Sequence, residues 1–189
     1  VAGWPEFRWA RIPDDGAAAL EVHVDQVDAT AGGLGADPDD PGNQWTYYRF
    51  GDGVVPLSDA DALGSESWDL GFKRFNIKSN SGPSGPGGVV TTDADPERGE
   101  QPDDVLGFTP TNQEPYFRER ADAWRAEPGG RFQEDDVLPV LRRWHTGTPG
   151  NGDVELSDRR WFLTTDRTAE PLIKLRVIDV QGDDPDGPA

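Results

Sequence analysis

The sequence predicts a mostly β, single antiparallel domain with one amphipathic helix and long acidic loops. Apolar and polar residues alternate with a period of two in several short segments, as in strands with one buried side. Only Glu114–Ala126 carries the spacing of an amphipathic helix, and it is followed by a Pro-Gly-Gly stop. The chain also holds 23 Gly, 17 Pro and 36 acidic residues, so turns are frequent and the loops are acidic.

Length and composition bound the domain organisation. A chain of 189 residues can form one domain with a hydrophobic core, and length alone favours one domain over two. We expect an aromatic N-terminal arm over residues 1–20, the β domain over residues 21–180 and a polar tail over residues 181–189. The large apolar residues of the arm are Trp4, Phe7, Trp9 and Ile12. Because a free tail would not be so aromatic, the arm packs either on the domain or on a partner.

The charge excludes two classes of partner. The formal net charge is −18, and the acidic groups are spread along the whole chain. Such a surface repels phosphate backbones and anionic lipids, so we expect no nucleic-acid binding. No apolar run approaches the ~20 residues of a membrane span, so we expect no direct membrane crossing. The simplest reading of the Asp-rich surface is solvation in a saline habitat, and the alternative is calcium binding.

Cysteine and methionine are both absent, which excludes disulfides, thiolate metal sites and a thiol nucleophile. Because the sequence starts without Met, we expect either a processed N-terminus or a chain that lacks part of the natural N-terminus. We expect an exported protein in the periplasm or at the cell surface, whose signal has been removed. A lipid-bearing Cys upstream of Val1 is compatible with this expectation.

The first strand after the arm is Glu21–Val27, where apolar and polar residues alternate. We expect Val22 and Val24 to face the core. His23 then lies on the outer face with its acidic neighbours.

A β-hairpin is predicted next. The strand Trp45–Phe50 leads through the turn Gly51–Gly53 into the apolar segment Val54–Leu57. Ser58 is expected to cap a short helical turn, because its hydroxyl can accept an amide hydrogen bond while Asp61 reaches back.

The segment around Trp68 organises the rest of the chain. Trp68, Leu70 and Phe72 alternate with polar residues and are expected on one buried face. After Arg74 the large apolar residues change parity, which predicts a bulge or a strand that passes from one face to another. Glycines then end the strand, and we expect residues 79–104 to form one long surface loop or a pair of loops.

The C-terminal part is expected to form a second hairpin. A turn-rich connection over residues 144–152 precedes two strands, Trp161–Thr165 and Leu172–Val180. In the last strand the apolar residues Ile173, Leu175 and Val177 are expected to face inward. They alternate with the basic residues Lys174 and Arg176.

The segment Ser67–Gly82 resembles the Trp-Asp-hydrophobic-x-Phe-x-Arg signature, ending in Thr/Ser-Asn-Gly, of HmuY-like proteins. Trp45–Gly53, Arg160–Asp166 and Leu172–Val177 are similar to the same family in the same order, so the resemblance covers residues 44–180. It implies an HmuY-like antiparallel β domain. It also implies a secreted or lipid-anchored protein that binds haem or a related tetrapyrrole without transforming it.

Four residues are candidates for a haem site. His145 lies between Trp144 and a glycine-rich loop, where an imidazole beside an aromatic wall could ligate iron, and the alternative is an exposed loop histidine. His23 is a second candidate metal ligand, or else a solvated strand histidine. Tyr47 could contact a porphyrin or supply a phenolate, although aromatic residues on strands are usually core. Arg74 could hold a propionate, or pair with a nearby Asp.

No motif of catalysis is present, so we expect a protein that is not an enzyme. The sequence has no Gly-x-Ser-x-Gly elbow and no Gly-Lys-Ser/Thr phosphate loop. Close acidic groups occur at Asp37–Asp40, Asp59/Asp61 and Asp93/Asp95, and they are candidates for calcium although none matches an EF-hand loop.

A second hypothesis belongs to another functional class. The same fold could serve as an extracytoplasmic structural or accessory subunit of a larger assembly, without a cofactor. It would dock through the aromatic N-terminal arm and the 79–104 loop.

Overall fold

The computed structural model describes residues 3–12, 21–30, 41–85, 88–92, 141, 144–146, 154–156, 160–164 and 172–182. These residues form eleven strands, one 3₁₀ turn at Pro41–Asn43 and one short α-helix. In chain order the elements are β1 (Gly3–Ile12), β2 (Val22–Gln26), β3 (Thr46–Arg49), β4 (Gly53–Val55), α1 (Asp59–Ala62), β5 (Leu70–Lys73), β6 (Asn76–Ser79), β7 (Gly88–Thr92), β8 (His145–Thr146), β9 (Glu155–Leu156), β10 (Arg160–Thr164) and β11 (Leu172–Gly182).

The strands form three sheets, and every pairing is antiparallel, which confirms the predicted mostly β class. The larger sheet has the order β2-β1-β11-β10-β7, the second has the order β4-β3-β5-β6, and β8 pairs with β9. No helix in the described part of the chain has the length and apolarity that a membrane crossing requires. The predicted helix Glu114–Ala126 lies outside the described residues.

The main core lies between the two larger sheets. Phe7 of β1 stacks on Phe72 of β5 with ring centroids 5.3 Å apart, and Phe7 and Tyr48 form a T-shaped pair with centroids 5.1 Å apart. Aromatic residues therefore join the sheets, as large rings bury much apolar area per residue. The buried members of this core are Phe7, Trp9, Val27, Ala29, Tyr48, Phe50, Leu70, Phe72, Ile77, Leu141, Trp144, Ile173, Leu175 and Val177.

The N-terminal segment is part of the larger sheet. β1 pairs with β11 over its whole length and with β2 on its other side. Phe7 and Trp9 point into the main core and are buried. The sequence left two packing partners open for the arm over residues 1–20, and the described part of the arm, residues 3–12, packs on the domain.

The predicted orientation of β2 is wrong. Val22 and Val24 are 40% and 51% exposed, while His23 and Asp25 are half-buried. The side chains of β1 explain this: Trp9 stacks on His23, and its indole N–H donates to Asp25 Oδ2 at 2.6 Å. Tyr48 donates to the same oxygen at 2.7 Å. Two hydrogen bonds to a carboxylate and a ring contact outweigh the burial of two valines on an edge strand.

The parity change after Lys73 marks a hairpin and not a bulge or a change of face by one strand. Lys73 pairs with Asn76, so Arg74 and Phe75 form a two-residue loop between β5 and β6. Arg74 has φ of 54°, the left-handed conformation that such loops require. Its amide N–H donates to the carbonyl of Ala29, which holds the loop against the chain that follows β2.

The face assigned to Trp68 is also wrong, although its burial is confirmed. Leu70 and Phe72 belong to the main core, whereas Trp68 packs with Tyr47 and Ala62 in a separate cluster beside α1. Trp68 precedes the first residue of β5, so the alternation of the strand does not govern its side chain. The indole N–H donates to the Ala62 carbonyl at 2.9 Å, which fixes the ring on the helix side.

Local predictions elsewhere are confirmed. Tyr47 pairs with Val55 in the β3–β4 hairpin, and the hydroxyl of Ser58 accepts the Asp61 amide at the start of α1. β10 and β11 form the C-terminal hairpin, with the predicted alternation of buried apolar residues. Lys174 departs from that pattern, because it lies on the opposite face of β11 yet is 0% exposed.

The region predicted as one loop or a pair of loops over residues 79–104 contains a strand, and residues 86–87 and 93–104 of it lie outside the described residues. Gly88–Thr92 forms β7, which pairs with β10 at one edge of the larger sheet. The β-branched run from Val89 to Thr92 favours a strand and outweighs the surrounding glycines and prolines. The turn-rich connection likewise contains β8, whose His145 pairs with Leu156.

Candidate functional site

Three rings meet where the β5–β6 loop contacts β8. His145 makes T-shaped contacts with Trp144, at a centroid distance of 4.4 Å, and with Phe75, at 5.3 Å. Phe75 stacks on Trp144 at 6.0 Å, and the Trp144 indole N–H donates to the Phe75 carbonyl at 3.2 Å. We call Phe75, Trp144 and His145 the histidine cluster. Trp144 is buried and His145 is half-buried, so the cluster joins the core to the surface.

One nitrogen of His145 is buried without a hydrogen-bond partner in the described part of the chain. Nδ1 is buried and has no partner among the described residues. An unsatisfied buried polar atom costs about 1–3 kcal/mol, so such atoms are uncommon unless the site has a role.

The loop that supplies Phe75 also carries Arg74. Its Nε is buried and has no hydrogen-bond partner in the described part of the chain. The two-residue loop thus places an aromatic ring against His145 and a guanidinium on the residue beside that ring. The structure brings the sequence candidates Arg74 and His145 to the same end of the main core.

His23 lies elsewhere. Its ring stacks on Trp9 at 4.2 Å with an interplanar angle of 17°, and its Nε2 is 3.8 Å from the exposed carboxylate of Glu21. Six residues separate His23 from Ala29, the residue bonded to the Arg74 amide, which corresponds to about 20 Å of chain if it is fully extended at ~3.3 Å per residue. The structure does not bring His23 and His145 together.

Tyr47 faces the opposite side of the smaller sheet. It belongs to the cluster with Trp68 and Ala62. Its hydroxyl donates to Asp59 Oδ1 at 3.0 Å and accepts from Lys78 Nζ at 3.1 Å. Burial, and secondarily the charge of Asp59, raise the pKa of Tyr47 well above its usual range. The phenol is therefore protonated and engaged in structural hydrogen bonds.

An aromatic enclosure around Lys78 was not predicted. Its ammonium nitrogen lies 4.6 Å from the ring centroid of Trp45, 4.9 Å from that of Tyr47 and 5.1 Å from that of Trp68. We call these three rings the lysine cage. A Cβ on Gly71 would lie 2.7 Å from Lys78 Cε. The aliphatic stem of Lys78 therefore occupies the space on β5 that a side chain at position 71 would fill. Three features of the sequence could have indicated the lysine cage: the aromatic residues at positions 45 and 47, and the glycine at position 71.

Replacing Lys78 with methionine is expected to lower the free energy of unfolding by about 1–2 kcal/mol. Methionine keeps the apolar stem but removes a partly desolvated cation–π contact and the hydrogen bond to Tyr47. The control is Lys73→Met, because Lys73 Nζ lies 6.0 Å from the ring centroid of Trp45 and over no other ring among the described residues, so its loss should cost less than about 0.5 kcal/mol. Equal effects of the two substitutions in urea unfolding would contradict the cage.

The described residues contain no group of three or more His, Asp or Glu side chains that could hold a metal ion. Asp59 accepts hydrogen bonds from the Trp45 amide and from Tyr47, and Asp61 accepts one from Ser58. The acidic groups at Asp37–Asp40 and Asp93/Asp95 lie outside the described residues.

Fold and site together define a class: an antiparallel β protein whose half-buried histidine is held between aromatic rings. The chain belongs to the HmuY family, because the family model described as HmuY protein matches residues 42–188. This match confirms the resemblance carried by the Trp68 segment. A search of curated proteins finds no match to the chain.

Proposed function

We propose that this chain is an exported haem-binding protein that takes up haem, or a related tetrapyrrole, without transforming it, and that His145 supplies the iron ligand. The observation that carries the proposal is the half-buried His145 imidazole between Phe75 and Trp144, whose buried Nδ1 has no hydrogen-bond partner among the described residues. Family membership supports the class of ligand.

The residues of the histidine cluster suit a porphyrin. Haem iron accepts an imidazole nitrogen as a ligand. The porphyrin around the iron is a broad apolar ring that carries two carboxylates. His145 would bind the iron, and Phe75 and Trp144 would offer apolar surface beside it. The buried guanidinium Nε of Arg74 has no partner among the described residues, so Arg74 is the candidate to pair with a propionate.

The described part of the N-terminal arm weighs against the accessory-subunit hypothesis. It required the aromatic N-terminal arm to contact a partner. Phe7 and Trp9 are instead buried in the main core, and β1 is paired on both sides. Surface that the domain itself covers is not available to a second protein.

A hemin titration of the full chain tests the proposal. We expect a sharp, shifted Soret band that saturates near one equivalent, and His145→Ala should weaken binding about tenfold or more, because removing the iron ligand leaves only ring and propionate contacts. His23→Ala is the matched control, since it removes the other histidine from the far end of β2 and should leave the affinity unchanged. Circular dichroism of both variants checks that the fold is retained.

Two results would contradict the proposal. A broad spectrum of free hemin with the wild-type chain would favour the accessory-subunit hypothesis, and equal affinities for the wild-type chain and His145→Ala would exclude His145 as the ligand.

A further inference from the structure

The larger sheet ends at β2. This strand comes first in the order of the sheet and pairs with β1 in an unbroken register from Glu6↔Gln26 to Ala10↔Val22. A strand at the end of a sheet presents backbone N–H and C=O groups to a further strand, and proteins commonly block such pairing with Pro, Lys or a β-bulge. The segment Val-His-Val-Asp-Gln contains neither Pro nor Lys, and its pairing with β1 has no bulge. β2 is therefore suited to accept a further strand.

The two faces of β2 differ in chemistry. Val22 and Val24 are 40% and 51% exposed on the outer face, and β-branched residues of this kind favour paired strands. The other face holds His23 and Asp25, both half-buried. Trp9 fixes that face, because its ring stacks on His23 and its indole N–H donates to Asp25. The strand thus presents two valines on one side and an imidazole and a carboxylate on the other.

Two copies of β2 complement each other in one register. When identical strands pair antiparallel about a two-fold axis perpendicular to the sheet, one residue faces its own copy and the residues on either side face each other crosswise. Centring the pair on Val24 sets all five residues of β2 against the same five residues of the second copy. Val24 then meets Val24, Val22 meets Gln26, and His23 meets Asp25 on each side of the axis.

Charge favours this register over its neighbours. Centring the pair on Asp25 would set two carboxylates directly opposite each other. Centring it on His23 would set Glu21 opposite Asp25 of the second copy, and like charges directly opposite destabilise a strand pair. Centring it on Val24 instead sets an imidazole opposite a carboxylate twice, so the strand is complementary to itself.

The net charge of the chain determines when such a dimer forms. Each copy carries a formal charge of −18, so two copies repel each other in dilute buffer. Salt screens this repulsion, because the Debye length falls from about 10 Å at 0.1 M to about 3 Å at 1 M ionic strength. The valine contacts and the backbone hydrogen bonds act at short range and do not depend on net charge. Association along β2 should therefore strengthen as salt is added.

We propose that β2 is a self-association surface: two copies of this chain pair antiparallel along β2, centred on Val24, and so join their larger sheets into one. A second copy fits this strand better than an unrelated strand, because the same five residues supply both the valine contact and the two imidazole–carboxylate pairs. The dimer does not require haem, so its test is independent of the proposed function.

Analytical ultracentrifugation of the full chain tests the proposal, over a range of protein concentrations in 0.1 M and 1 M NaCl. We expect a monomer–dimer equilibrium whose dissociation constant is about tenfold or more lower at the higher salt concentration. Val24→Lys should weaken the dimer about tenfold or more, because two ammonium groups then face each other. The matched control is Val54→Lys on β4, since Val54 is 56% exposed but lies outside β2, and it should leave the dimer unchanged. Circular dichroism checks that both variants are folded.

A mixture of two variants tests the register. Val24→Glu should weaken self-association as Val24→Lys does, because two carboxylates then face each other. An equimolar mixture of the two variants should regain the dimer. The reason is that position 24 of one copy faces position 24 of the other, so a lysine then meets a glutamate.

Three results would overturn the proposal. A chain that stays monomeric in 1 M NaCl at concentrations up to about 1 mM does not self-associate, and β2 is then left to a strand of a different protein or to none. A dimer that Val24→Lys leaves intact uses another surface. A mixture of the Val24→Lys and Val24→Glu variants that remains monomeric excludes the register centred on Val24.

Discussion

Replacing Trp68 with alanine is expected to lower the free energy of unfolding by about 3–5 kcal/mol, the usual cost of truncating a buried tryptophan. Trp68 is 1% exposed and packs edge-on against Tyr47 with centroids 4.8 Å apart. Its indole N–H satisfies the Ala62 carbonyl, and its ring is one wall of the lysine cage. Truncation therefore leaves a cavity, an unsatisfied carbonyl and a less enclosed ammonium at once.

Two matched variants separate these effects. Trp68→Phe keeps an aromatic wall but loses the hydrogen bond, so it should cost roughly 1–2 kcal/mol. Trp45→Ala removes another cage wall, but Trp45 is only half-buried, so the cavity term should be small. Urea unfolding followed by circular dichroism avoids the altered tryptophan fluorescence. If Trp68→Ala costs no more than Trp45→Ala, the burial of Trp68 beside α1 is wrong.

Replacing Gly85 with alanine is expected to lower the free energy of unfolding by about 2–4 kcal/mol. The added Cβ would lie 2.1 Å from Oδ1 of Asn80, which is 3% exposed and cannot turn away easily. Asn80 Nδ2 donates to the carbonyls of Ser65 and Trp68, both at 2.7 Å, and moving the side chain would break these bonds. Unsatisfied buried carbonyls cost about 1–3 kcal/mol each.

A double-mutant cycle tests the cause. Asn80→Ala alone removes the same hydrogen bonds and should be destabilising by a similar amount. In that background Gly85→Ala should cost almost nothing, because the clash is gone and Gly85 is not one of the glycines with positive φ. Additive costs would show that Gly85 is constrained by something other than Asn80.

The elements that the sequence predicted correctly depend on neighbours in the chain. The β3–β4 hairpin follows from a glycine turn between two apolar segments, and the Ser58 cap needs only a residue three positions away. The burial of Phe72 likewise followed from local alternation. The two-residue loop at Arg74 was visible as a change of parity, yet alternation alone could not distinguish a hairpin from a bulge or a change of face.

The candidate site was predicted only in part. His145 and Arg74 were named from their local settings, but nothing local indicated that Phe75 contacts Trp144, a residue 69 positions later. The wrong face was predicted for His23 for the same reason. The hydrogen bond from Trp9 to Asp25, which turns this face of β2 inward, joins residues 16 positions apart.

By itself, the sequence determined the antiparallel β class, the HmuY resemblance and the short list of residues able to ligate iron, since these follow from composition and local pattern. Only the tertiary structure decided which face of β2 is buried, which cluster holds Trp68, and that His145 and Arg74 share one end of the core while His23 does not. The physical reason is that each of these outcomes depends on contacts between rings and hydrogen-bonding groups far apart in the chain, and a period-two pattern carries no information about which distant partner a face will meet.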